Sequence, residues 1–220
     1  MAKRIGVDKW IFFTTLLLVV VGLAMVFSAS AVVAQDRYHS EFADIGRQAG
    51  WAVGGVLLMV FLMNLDYTRY NSPRFIYASL AISTLLLVLV FFVRDSHNTH
   101  RWIRFGGHFT FQPSEISKLV LILFLAWFLS RRLDTMQDWK NTLARAAIIP
   151  VVFMLLVVRE PDLGTALVLA GVSAMMFVLA GMEWKYLVGA VAVALPPLAA
   201  LLFWVPWRRA RMLAFIHPDA

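Results

Sequence analysis

Residues 10–33 read WIFFTTLLLVVVGLAMVFSASAVV, a run with no ionisable side chain. Roughly 20 apolar residues in a helix cross ~30 Å of hydrocarbon. The run exceeds a signal-peptide core, and Ser28-Ala29-Ser30-Ala31 is followed by more apolar sequence. It reads as a retained transmembrane helix, with a cleaved signal as the weaker alternative. Six further runs follow: about Ile45 to Leu65, Phe75 to Val93, Pro113 to Leu129, Leu143 to Val158, Leu163 to Gly181 and Tyr186 to Val205. The expected fold class is all-α, a polytopic membrane protein with about seven transmembrane helices. Gly50, Gly54 and Gly55 in the second run are small enough to allow close helix contact. Pro196-Pro197 in the seventh predicts a kink or break, because two amide donors are missing.

Composition agrees. Of 220 residues, 61% are hydrophobic and 15% are Asp, Glu, Lys or Arg, against about 25% charged in a soluble domain. The net charge of +7 does not point to nucleic acid, because Lys and Arg sit mainly between the apolar runs, beside headgroups. The absence of cysteine excludes disulfides, thiolate metal sites and a cysteine nucleophile. Seven spans put the chain ends on opposite sides. Lys3, Arg4 and Lys9, with Arg131-Arg132, favour a cytoplasmic N-terminus. In that orientation ten of the twenty Lys and Arg fall inside and ten outside or at outer helix ends, so the count alone does not set topology. The outer arginines call for either an anionic ligand or ordinary headgroup anchoring.

The polar groups lie between and at the ends of spans. Residues 94–112 form one long outer loop carrying Arg101-Trp102, a pattern suited to interface anchoring or to pyrophosphate contact. Gln112-Pro113-Ser114-Glu115-Ile116-Ser117-Lys118 opens the fourth span. Pro113 suits a helix start, and Glu115 and Lys118, three apart, share a face. They either neutralise one another and lock neighbouring helices, or line a wet cavity. Arg159-Glu160-Pro161-Asp162-Leu163-Gly164-Thr165 joins spans five and six. It is either a tight turn or a recessed one facing a cavity, with Asp162 as a partner for Lys118 or an outer arginine and Thr165 as a cap or a cross-link. His97, His100 and His108 match no strong zinc spacing, so no metal ligands are assigned. There is no P-loop, GxSxG elbow or HExxH motif. Arg208, Arg209 and Arg211, interleaved with Met212, Leu213, Phe215 and Ile216, fit an interfacial amphipathic turn.

In order, Ser28-Ala29-Ser30, Arg47-Gln48 before Trp51, Arg101-Trp102-Ile103 with Gly106, Gln112-Pro113-Ser114-Glu115 with Lys118, Glu160-Pro161-Asp162-Leu163-Gly164-Thr165, and Arg208-Arg209-Ala210-Arg211 with Phe215 and Pro218 cover the whole chain. With these pieces the sequence resembles the SEDS family (shape, elongation, division and sporulation proteins), its FtsW-like division branch more than its RodA-like branch. One departure is Asn98-Thr99-His100, where family members often have Asn-Gly-Ala before the Arg-Trp.

The resemblance implies a fold of roughly ten helices, with residues 1–220 as its N-terminal membrane portion and 206–220 as the start of a large periplasmic loop. It places the family's proposed catalytic aspartate three residues past Pro218, one beyond Ala220, so this stretch alone is expected to be inactive. It further implies polymerisation of lipid II into peptidoglycan glycan strands during division, with release of undecaprenyl pyrophosphate. An inverting transfer of this kind needs a carboxylate base and charge neutralisation at the leaving group. The expected site residues are Arg101 near the phosphates, with Trp102 and Gln112 beside it. Glu115, Lys118 and Asp162 are expected as cavity electrostatics, and Arg208, Arg209 and Arg211 at the headgroup or under the catalytic loop. No cofactor is expected in this stretch, with Mg or Mn a candidate for the whole enzyme. The expected partners are lipid II, a class B penicillin-binding transpeptidase and other divisome membrane proteins, and no nucleic acid. The expected location is the bacterial inner membrane at the septum. A lipid II flippase and a non-catalytic divisome scaffold are the alternatives.

Overall fold

The computed structural model describes residues 8–38, 42–66, 70–93, 101–105, 109–206 and 208–210. Its helices are α1 (Lys9–Tyr38), α2 (Ala43–Met63), α3 (Pro73–Leu89), α4 (Pro113–Ser130), α5 (Ala144–Arg159), α6 (Leu163–Leu179) and α7 (Trp184–Phe203). A two-stranded antiparallel hairpin, β1 (Ile103–Phe105) and β2 (Phe109–Phe111), precedes α4. Among the described residues six helices are long and apolar enough to cross a membrane, and α6 is apolar but only 17 residues long. The chain divides into two units, residues 1–69 and 70–220.

In the first unit α1 and α2 lie alongside each other. The glycines do not bring them together: a Cβ added at Gly50, Gly54 or Gly55 meets nothing within 4 Å. Gly22 and Gly55 instead line a groove of about 470 Å³ with Thr15, Gln48, Trp51 and Met59. Removing side chains from both helices leaves a slot here rather than a contact.

In the second unit α4 is the central helix, packed on α3, α5 and α6. Its buried positions include Ser114, Ser117, Leu121, Leu125 and Phe128, a three-four spacing that keeps one face inward. The partners repeat that spacing: Ile76, Leu80, Ser83 and Leu87 on α3, Ala146, Pro150, Phe153 and Val157 on α5, Ala166, Leu169, Ser173 and Phe177 on α6. Lipid is as apolar as these side chains, so packing contacts and hydrogen bonds hold such helices together rather than hydrophobic exclusion. The buried Ser83 and Ser117 hydroxyls supply one such bond between α3 and α4, at 2.9 Å.

Two span ends differ from expectation. The fifth span is longer than its apolar core, because a π-helical turn, Trp139–Leu143, precedes α5. Asp138 caps that turn through the amides of Lys140 and Asn141, and these bonds, the Asn141 side chain first, lower its pKa. The seventh helix is not broken at Pro196-Pro197. The pair removes two amide donors but leaves helical φ intact, and membrane helices tolerate such gaps. No residue of α7 is buried. Its first turn is tied to the α4–α5 connection by Tyr186, which donates to the Gln137 carbonyl at 3.2 Å and stacks on Trp139 with centroids 5.5 Å apart. Gly181, with φ +90°, ends α6 in a Schellman motif, Met182 N–H to Phe177 O and Gly181 N–H to Val178 O.

Phe153 is fully buried and Leu155 is 65% exposed on the same helix. Phe153→Ala is expected to destabilise by about 3–5 kcal/mol, and Leu155→Ala by less than about 0.5 kcal/mol. Unfolding in detergent micelles measures both.

Candidate functional site

The site forms where the β1–β2 hairpin meets the turn between α5 and α6. Arg101 lies two residues before β1 and Gln112 directly follows β2, and the strands hold register through Ile103 opposite Phe111. Both ends of the hairpin therefore reach the turn. Arg101 Nε donates to the Glu160 carbonyl at 2.9 Å, and Nη2 donates to the Pro161 carbonyl. Gln112 Nε2 donates to Asp162 Oδ2 at 3.1 Å and to Ser114 Oγ at 2.8 Å.

Asp162 is the N-cap of α6. Its Oδ1 accepts from the Thr165 amide at 3.1 Å and its Oδ2 from the Thr165 hydroxyl at 3.0 Å. An acceptor at this end satisfies an orphan amide and meets the positive end of the helix dipole. Three donors thus hold the Asp162 carboxylate. Glu160, two residues earlier, is the reverse: it is fully buried and neither carboxyl oxygen has a hydrogen-bond partner. Burial raises its pKa to about 8, the Asp162 charge adds to the rise, and Arg101 opposes it.

Glu115 and Lys118 form a separate pair on α4. Lys118 Nζ lies 2.8 Å from Glu115 Oε1, and Glu115 is more than half exposed. The expected pairing of Asp162 with Lys118 is not formed, because Gln112 and Thr165 already take the Asp162 oxygens. Thr165 does cross-link the helix start, as its position suggested. Trp102 is exposed. Arg208 is buried and donates to the Leu201 carbonyl at 3.3 Å, whereas Arg209 is exposed. Arg211 and the three loop histidines lie outside the described residues. No three His, Asp or Glu among the described residues gather to hold a metal ion. Glu115, Asp138 and Asp162 are engaged with donors, and Glu160 is buried. Glu160 was not singled out from sequence; the signal for it was a carboxylate before a proline between two short apolar runs.

A family model described as "Cell cycle protein", FTSW_RODA_SPOVE, matches residues 8–220. The chain belongs to this FtsW/RodA/SpoVE family, the SEDS family. It is 32% identical over 201 residues to the "Probable peptidoglycan glycosyltransferase FtsW" of Geobacter metallireducens, covering 90% of this chain and 52% of that one. It is 33% identical over 217 residues to the "Stage V sporulation protein E" of Bacillus subtilis, covering 98% and 59%. Among solved structures, it superposes with TM-score 0.65 and 29% identity on a chain described under "Structural coordination of polymerization and crosslinking by a peptidoglycan synthase complex", covering 94% and 60%. The Thermus thermophilus rod shape determining protein RodA gives TM-score 0.54 at 30% identity, covering 80% and 57%. The chain thus spans little more than half the length of these relatives. The all-α polytopic membrane fold follows from both structures, and the family ties the chain to cell division and peptidoglycan synthesis.

The two charge groups are expected to behave independently. Asp162→Ala removes a cap and strands two donors, at a cost of about 2 kcal/mol. Lys118→Met removes a partly exposed i,i+3 pair, at below about 0.5 kcal/mol. The double variant should add within about 0.5 kcal/mol in denaturant unfolding, and a larger coupling would show that the groups communicate.

Proposed function

We propose that the complete protein polymerises lipid II into glycan strands by inverting glycosyl transfer, releasing undecaprenyl pyrophosphate. The observation that carries this reading is the hairpin–turn assembly, in which the family's Arg101, Gln112 and Asp162 positions meet at one end of α4 and α6. An inverting transfer needs a base for the acceptor hydroxyl and positive charge where the pyrophosphate departs. In this reading the base is the family aspartate expected on the loop beyond Pro218, and residues 206–220 begin that loop. Residues 1–220 supply binding and charge.

Lys118, partly exposed beside Glu115, and Arg101 on the hairpin give a cationic margin at headgroup depth. Trp102, exposed beside Arg101, seats the hairpin at the interface, and Arg208 is held to the Leu201 carbonyl of α7. The described carboxylates do not form a donor set for Mg or Mn, so no step here runs through a metal. The hairpin faces the periplasm and Met1 the cytoplasm, in the inner membrane at the septum. A class B penicillin-binding transpeptidase is the proposed partner, in keeping with a relative solved as part of a peptidoglycan synthase complex.

Two measurements test this. Full-length protein with its transpeptidase partner should make glycan from lipid II, and Lys118→Met should lower turnover about tenfold or more, as expected for loss of a charged hydrogen bond, at unchanged melting temperature. Undiminished turnover removes Lys118 from the site. A cysteine introduced at Thr110 in this cysteine-free chain should react with impermeant reagent from the periplasm. Labelling only from the cytoplasm reverses the topology.

A further inference from the structure

Arg101 makes an unexpected choice at the turn. A guanidinium ordinarily takes a carboxylate in preference to a neutral carbonyl, because the charged pair is the stronger and fits its fork. Here Nε and Nη2 go to the main-chain carbonyls of Glu160 and Pro161, while the Glu160 carboxyl has no partner at either oxygen. A dry ionised carboxylate is costly, whereas a neutral acid attracts a guanidinium no more than a carbonyl does. That geometry fits a protonated Glu160.

Among the described residues the charged groups around it are few. Arg101 comes from the segment before β1, Asp162 from the turn itself and Arg159, exposed, from the end of α5. Glu115 and Lys118 on α4 neutralise each other, and α6 carries no ionisable residue. Burial and the Asp162 charge hold the proton on Glu160 up to about pH 8, against the pull of Arg101.

We infer that Glu160 is a positioning residue whose proton sets the place of Arg101: the neutral acid leaves the guanidinium on the two main-chain carbonyls, and the carboxylate draws it onto its own oxygens. On ionisation the proton leaves to water and the first residues of the hairpin move with Arg101. The link to glycan synthesis rests on the function proposed above, since it is Arg101 at the cationic margin that would shift; the switch itself does not.

The test uses the complete protein in lipid nanodiscs without substrate, so it stands or falls apart from any enzymatic activity. A spin label on a cysteine replacing Thr110 reports hairpin motion. Its mobility should change on raising the pH through about 8 in the parent chain, and stay constant in Glu160→Gln, which mimics the neutral acid, and in Arg101→Gln. The linkage gives a second readout. A carboxyl whose folded pKa, about 8, exceeds its ordinary 4.5 binds its proton more tightly when folded, so stability is greatest below 4.5 and falls as pH rises to about 8. Melting temperature should show that fall in the parent and lack this component in Glu160→Gln. A third readout needs no variant at Glu160: infrared difference spectra of the parent chain should lose a protonated-carboxyl band as pH passes about 8. No such band, or the same pH transition in parent and Glu160→Gln, overturns the inference.

Discussion

The hold of one hairpin on one turn organises the second unit. Arg101 and Gln112 stand on either side of β1 and β2, and both bear on residues 160–162. The turn in turn starts α6 through the Asp162 cap, and Ser114, bonded to Gln112, sits in the first turn of α4. One cluster of polar bonds therefore sets where α4 and α6 begin. Below that level, among the described residues, the helices meet mainly through apolar side chains, joined by the Ser83–Ser117 bond and, at the far end, by Arg131 to the Asn71 carbonyl and Tyr186 to the Gln137 carbonyl.

This arrangement separates two carboxyls that sequence places side by side. Asp162 receives three donors and remains an acceptor. Glu160 receives none. When neighbouring acids meet such unequal surroundings, their proton affinities part, and each can serve a different purpose in one site.

Much of the fold was legible because apolar length is a strong signal. The seven runs fall on the seven helices, with ends shifted by a few residues where caps such as Asp138 extend them. The hairpin was not legible: two three-residue strands inside a polar loop carry no usable period. The Glu115–Lys118 pair was, because helix spacing alone brings it together. The Asp162 partner was not, because Gln112 lies fifty positions away in the chain. The glycines of α2 do not mark a close contact with α1, since small residues permit approach but do not compel it.

The two tied ends of α6 bear on the lipid around it. The Asp162 cap and the Gly181 motif stop the helix at 17 residues, about 26 Å of rise against ~30 Å of hydrocarbon. Closed at both ends, it cannot lengthen to match. The mismatch falls on the bilayer, which accommodates a short helix by thinning at a cost of fractions of a kcal/mol per Å. Leu167, Val168, Met175 and Leu179 present the exposed side of that short wall. Where the bilayer thins beside α6, the headgroup plane comes closer to the turn where Glu160 and Asp162 lie.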